Sequence, residues 1–353
     1  MRGVARRAIA RVGATVRPSL YAGYEVQVVG GNMATSVSGA FSEFQQVVNA
    51  EADQVREARK RRDLFKDAFG AESDVNEVLA SGSLARGTQK DPIHDVDTIV
   101  IFDDAQHADW GSPGESASEA LDYTRGRVNY LLGATNGTHA QVVRLARWRN
   151  HAVRCFLDDP DDPNAFTVDA MPALRRDGML LIPEAKSERW VSCDPESLIA
   201  AVAAKHAAWN KFAGSVRMLK WWAAEQSITI KPLVMEVLAL QFLPVSGGLQ
   251  PNAIKQFFIS ANYYIAGGSE VVDPAGVCGP IQGDLDYSAF GEVLGDAADK
   301  ASRAMNAEWS NDAASAIRRW GELFGPSFPT GPVVSPAPAL PPPPRPVKDT
   351  PQG

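Results

Sequence analysis

The run Asp95-Val96-Asp97-Thr98-Ile99-Val100-Ile101-Phe102 constrains this 353-residue chain more than any other stretch. Its apolar and β-branched residues predict a strand. Side chains alternate along a strand, so Asp95 and Asp97 project from one face, ~7 Å apart, while Val96 points to the other. Two carboxylates at that spacing can share or bridge hard cations. Upstream, Glu77-Val78-Leu79-Ala80 leads into Ser81-Gly82-Ser83, which reads as a strand-to-helix turn. A glycine there lets backbone N–H groups approach a phosphate, the Ser83 hydroxyl adds a donor, and Arg86, about one turn later, reaches the same place.

An acidic pair at a strand end is more often plain solvated surface, and a Gly-Ser turn alone is no more specific. Their succession is what carries information. Two further segments add to it. In Phe166-Thr167-Val168-Asp169-Ala170-Met171, the aspartate sits in an apolar, strand-like run, where its charge is costly unless paired or metal-bound. In Ser215-Val216-Arg217-Met218-Leu219-Lys220-Trp221-Trp222, a helical stripe of Phe212, Val216, Leu219 and Ala223 leaves Lys220 roughly 80° from its centre. From that border the ammonium can snorkel to solvent.

Around these motifs the chain divides by pattern. Residues 1–32 hold five arginines against Glu25, a charge of +4 that leaves −11 for the rest of a chain whose net charge is −7. Arg6-Arg7 has the look of a twin-arginine signal, but Arg11, Arg17 and several glycines interrupt any apolar core behind it. Residues 1–32 are therefore expected to be a disordered or misassigned extension, with Met33 as the start. From Ser36 to about Phe69 the spacing of Phe41, Phe44, Val48, Val55, Leu64 and Phe65 predicts a long spine helix, with Lys60-Arg61-Arg62 on its wet face. A helix over 116–132 and strands near 141–149, 152–157 and 166–171 follow, then a hairpin around Gly178. Asp194-Pro195 reads as a helix start, and helical spacing continues to Phe324. The proline-rich tail from 326, with Pro341 to Pro344, is expected to be disordered.

Composition excludes several classes. No stretch of ~18 apolar residues spans a membrane. Cys155, Cys193 and Cys278 are too scattered for a zinc or disulfide framework, which fits a reducing cytoplasm. Overall acidity disfavours a long nucleic-acid partner, since that affinity rests on neutralised phosphates. His94, His107, His151 and His206 show no metal-ligand spacing, and Lys205 and Asn210 are weak candidates for a cleft.

In order, Gly82-Ser83, Asp95-x-Asp97, Asp169 and the Leu219-Lys220-x-Trp222 helix resemble the DNA polymerase beta-like nucleotidyltransferase superfamily. From about Met33 to Phe324 the likeness is to bacterial cyclic-oligonucleotide synthases, relatives of the animal cyclic GMP–AMP and oligoadenylate synthases. The resemblance implies an α+β, bilobed molecule: a spine helix and mixed-sheet catalytic lobe over 33–190, then a helical lobe over 191–325. It implies that Asp95, Asp97 and Asp169 are catalytic and hold two Mg²⁺ or Mn²⁺ ions, and that Gly82, Ser83, Arg86 and Lys220 bind nucleotide. The reaction implied joins nucleoside triphosphates and cyclises the product, which activates a downstream effector in anti-phage signalling. A conjugation partner joined to Gly353 is a further expectation of the resemblance. One departure is visible: many relatives carry Ser-Tyr where this chain has Pro232-Leu233 before Glu236. The alternatives are a nucleotidyltransferase acting on a tRNA 3′ end, one acting on a protein or small molecule, and an inactive nucleotide-binding module.

Overall fold

The computed structural model describes residues 34–133, 141–245 and 248–331. The arginine-rich start and most of the proline-rich tail, including Pro341 to Pro344 and Gly353, lie outside the described residues. Within them the chain is α+β, as expected. Strands β1 (Val75–Ser81), β2 (Asp95–Phe102), β3 (Leu145–Trp148), β4 (Val153–Phe156), β5 (Thr167–Arg176), β6 (Met179–Glu184) and β7 (Arg189–Cys193) form one sheet. Its order is β1-β2-β5-β4-β3, with β6 on β5 and β7 on β6. β2 and β5 run parallel, while the other named pairs are antiparallel. A parallel pair needs a crossover. Helix α4 (Ser116–Leu131) and the β3–β4 hairpin lie within it.

Alternation gives the sheet two different faces. Val96, Val100 and Phe102 of β2, Val168 and Ala170 of β5, and Val153 and Cys155 of β4 join a core with Ala58, Phe65 and Phe69 and with Ala120, Leu121 and Val128 of α4. The opposite face buries Ile99, Ile101, Ala173, Leu180 and Ile182 in a smaller cluster. That second face carries Asp97 and Asp169 at its other end.

The expected spine is two helices, α1 (Val37–Val48) and α2 (Ala52–Gly70). Asn49 turns extended at φ −78°, ψ 136°, and bridges Lys90. The break has a packing reason, because the two pieces serve different cores. α2 lies on the sheet through Ala58, Phe65 and Phe69. α1 instead buries Phe41, Phe44 and Val48 among the later helices. Each such side chain contributes roughly 1.5–3 kcal/mol.

Those later helices are α5 (Pro195–Ala208), α6 (Phe212–Ala224), α7 (Pro232–Phe242), α8 (Gln250–Ala266), α9 (Tyr287–Trp309) and α10 (Ala313–Phe324). Asp194 caps α5 as its sequence suggests, accepting from the Ser197 backbone N–H at 2.9 Å, with Pro195 in the first turn. α10 returns to α1: the Phe41 and Trp320 rings meet edge-on at 4.9 Å. One correction falls at the tail. Residues 326–331 are not loose, because Phe328 is buried and stacks on Phe324 at 5.6 Å. An aromatic side chain with an apolar slot available buries itself despite its proline-rich neighbourhood. No helix among the described residues is long and apolar enough to cross a membrane.

Candidate active site

The sheet register builds the site. Asp97 pairs with Ser81 of β1 on one side and with Asp169 of β5 on the other. Asp169 pairs in turn with Arg154 of β4, and Arg154 with Arg147 of β3. Directly opposed residues on neighbouring strands point to the same face. Ser81, Asp97, Asp169, Arg154 and Arg147 therefore form one row across the sheet, with Asp95 one step away on the Asp97 strand.

At the Ser81 end the chain turns into the short helix α3 (Gly82–Arg86). Gly82 has φ +70°, and a Cβ there would lie 1.7 Å from Asp97 Oδ2. Both the left-handed backbone and the lack of room demand glycine. The turn thus sits directly against the carboxylate, with Ser83 next in line.

Asp97 is partly buried, and its pKa is pushed up to about 7, first by burial and then by the charges of Asp95 and Asp169. Arg86 and Arg154 oppose the shift without cancelling it.

Arg86 and Lys220, expected at phosphate, are otherwise engaged. Arg86 pairs with Glu236 of α7 through Nε. Lys220 of α6 is 4% exposed; its Nζ donates to Glu236 Oε2 at 2.5 Å and to Thr88 Oγ1 and O at 3.1 and 3.2 Å. Thr88 Oγ1 also donates to Glu236 Oε2 at 2.9 Å. Arg217 braces the same corner, donating to Gly87 O at 2.6 Å and Asn49 Oδ1 at 2.8 Å. Burial draws the Lys220 ammonium below its usual range, with Arg86 and Arg217 adding to the effect. Burial would raise the Glu236 carboxyl, but Lys220 and Arg86 overcome it and hold it below the ordinary value.

Solved structures share this architecture. CdnC of E. coli MS115-1, solved with ATP, matches with a TM-score of 0.62 at 18% identity, over 82% of this chain and 98% of that one. A STING-associated CdnE c-di-GMP synthase from Capnocytophaga granulosa matches at 0.56 and 12%, over 74% and 84% of the two chains. Vibrio cholerae DncV, in its 3′-deoxy GTP bound form, matches at 0.51 and 12%, over 82% and 85%. This chain shares the fold of these structures. At these identities the likeness is one of fold. No family model and no curated protein matches the sequence.

Does the acidic row suit a divalent cation? Its chemistry does: carboxylate oxygen donors gathered on one face of the sheet. Its present geometry does not yet close. Among the described residues no three acidic, histidine or cysteine side chains are placed to hold a metal ion. Both oxygens of Asp169 are instead taken by Arg154, whose Nε and Nη2 each donate at 2.9 Å. The residues fit the ion on condition that Asp169 can be released.

Crowding of charge at Asp97 has a measurable cost. A carboxyl whose pKa rises on folding binds protons more tightly in the native state, so stability falls as pH rises from the unfolded value towards 7. Asp97→Asn removes that dependence. Without divalent ions, the variant is expected to be stabilised relative to the parent by about 2–3 kcal/mol more at pH 8 than at pH 5, at about 1.4 kcal/mol per pH unit. Urea unfolding at the two pH values measures it; an equal effect at both would remove the electrostatic account.

Sequence reading missed Arg154. The only signal was the β4–β5 pairing, and the acidic turn between those strands is too long to fix a register. It also passed over Thr88, two residues beyond Arg86, and Arg217, although the latter lies within the 215–222 segment it singled out. Lys205 is partly buried and Asn210 exposed, and no contact of either with the acidic row is seen among the described residues.

Proposed function

We propose that this chain is a divalent-metal-dependent nucleotidyltransferase that joins nucleoside triphosphates into a cyclic di- or oligonucleotide, releasing pyrophosphate. The observation that supports this most directly is the registered row of Asp97 and Asp169, set against the Gly82 turn. Asp95, Asp97 and Asp169 would be the metal-holding residues. Two divalent ions held there would supply activation of the attacking hydroxyl and neutralisation of the leaving pyrophosphate.

The protein's own residues do the positioning. Gly82 lets the backbone of the turn approach the phosphates, and Ser83 offers a hydroxyl donor beside them. Arg86 and Lys220 support that turn from behind through Glu236, and their combined charge, exceeding that of the one carboxylate, biases the corner towards anions. The attacking nucleotide would lie along the row on the Asp169 side, away from the turn. The product would serve as a messenger in anti-phage defence, acting through an effector, a reading that the fold likeness and the motifs support.

The test is incubation of purified protein with Mg²⁺ or Mn²⁺ and the four nucleoside triphosphates, with products resolved by mass spectrometry. A phosphatase-resistant cyclic product, formed without added RNA, is the expected result. Activity that requires tRNA, or a linear product alone, would shift the reading to the corresponding alternative.

A further inference from the structure

We propose that Arg154 is a placeholder for the metal: it holds Asp169 while no cation is bound and must give that carboxylate up for the ion to bind. The inference rests on the metal-site reading of the acidic row. A structural ion pair and an exchangeable one differ in what surrounds them, and here the surroundings favour exchange. The Arg154 and Asp169 side chains keep 32% and 18% exposure, so solvent reaches the pair and it is not sealed in the core. The fork is bidentate, the geometry in which a guanidinium occupies both oxygens at once. On the row, acidic groups lie on one side of Arg154 only. Asp169, Asp95 and Asp97 all reinforce its charge, the Asp169 hydrogen bond most strongly. On its other side stands Arg147, exposed and of like charge.

This arrangement has a physical use. The like charges of Asp95, Asp97 and Asp169, gathered on one stretch of the sheet, repel one another. A guanidinium beside them relieves part of that repulsion. Because one carboxylate cannot present both oxygens to Arg154 and also face an ion with them, the two cations compete. Arg154 is thus a positioning residue: it keeps Asp169 aimed along the row and sets the threshold for ion binding. Removing it should strengthen metal affinity, whereas removing a residue that merely supports the fold would weaken it.

The experiment titrates nucleotide-free protein with Mn²⁺ and follows free ion by electron paramagnetic resonance, for the parent, Arg154→Gln and Arg154→Lys. Arg154→Gln is expected to bind Mn²⁺ roughly tenfold more tightly, the scale of one charge-assisted fork lost as a competitor. Arg154→Lys, which keeps the charge but cannot fork, should fall between the two. In an Asp169→Asn background the Arg154→Gln gain should shrink markedly, since the carboxylate contested is gone. Equal or weaker Mn²⁺ binding by folded Arg154→Gln overturns the placeholder role while leaving the metal site in place. Absence of any Mn²⁺ site in the parent and in both variants overturns the metal reading, and this inference with it.

Discussion

Exchanging Asp95 and Asp97 together for alanine is expected to leave a folded protein that has lost at least ~10³-fold of its nucleotide-joining rate. The magnitude follows from the metal that, on the proposed function, these carboxylates would hold. Bound metal contributes several kcal/mol of charge stabilisation in a phosphoryl-type transition state, and each ~1.4 kcal/mol is tenfold in rate. The fold should survive because neither side chain is part of the apolar core. β2 is held by Val96, Ile99, Val100, Ile101 and Phe102, all buried, and by its pairing with β1 and β5. Losing two crowded charges should even raise the melting temperature of metal-free protein above neutral pH. Pyrophosphate release under saturating Mg²⁺ and nucleotide, beside a melting curve, separates the two effects. Activity within tenfold of the parent would place the chemistry elsewhere in the molecule.

The parts of this site that a reader could take from the amino-acid order are those set by local rules. Alternation along one strand put Asp95 and Asp97 on a common face, and the Gly-Ser turn followed from a strand giving way to a helix. Asp194 announced α5 by its capping chemistry. What the order did not disclose depends on partners far away in the chain. Helical spacing continued smoothly from Phe41 to Phe65, yet Asn49 breaks the spine. The two stretches of apolar residues look alike in sequence, and only their separate cores distinguish them. Lys220 sat at the edge of its apolar stripe, where a phosphate contact and burial are equally compatible with the pattern. The deciding group, Glu236, lies 16 residues on, and the Thr88 contacts span 132 residues. Arg154 was invisible for the same reason, since its meaning comes from the register that sets it opposite Asp169.

Glu236→Ala is expected to be the most destabilising single substitution at this site, by about 3–5 kcal/mol in urea unfolding at neutral pH. The carboxylate is fully buried and receives Arg86, Lys220 and Thr88. Removing it strands two cations beside a third, Arg217, whose pKa burial already lowers. Unpaired buried charge costs far more than the pair itself contributes. Glu236→Gln, which keeps the shape but not the charge, should therefore remain costly. Lys220→Met combined with Glu236→Leu should recover part of the loss, because one stranded cation goes with the carboxylate. The pH dependence has a definite sign. Glu236 is held below its ordinary value, so its contribution is present above that value and fades as acid carries the pH down through the folded pKa. The same network ties α3 and Thr88 to α6 and α7, so Glu236→Ala should also loosen the Gly82 turn and raise the KM for nucleoside triphosphate. A loss under 1 kcal/mol with unchanged KM would mean that the three cations find water or other partners once the carboxylate is gone. The corner would then be held by its apolar packing and not by its charges.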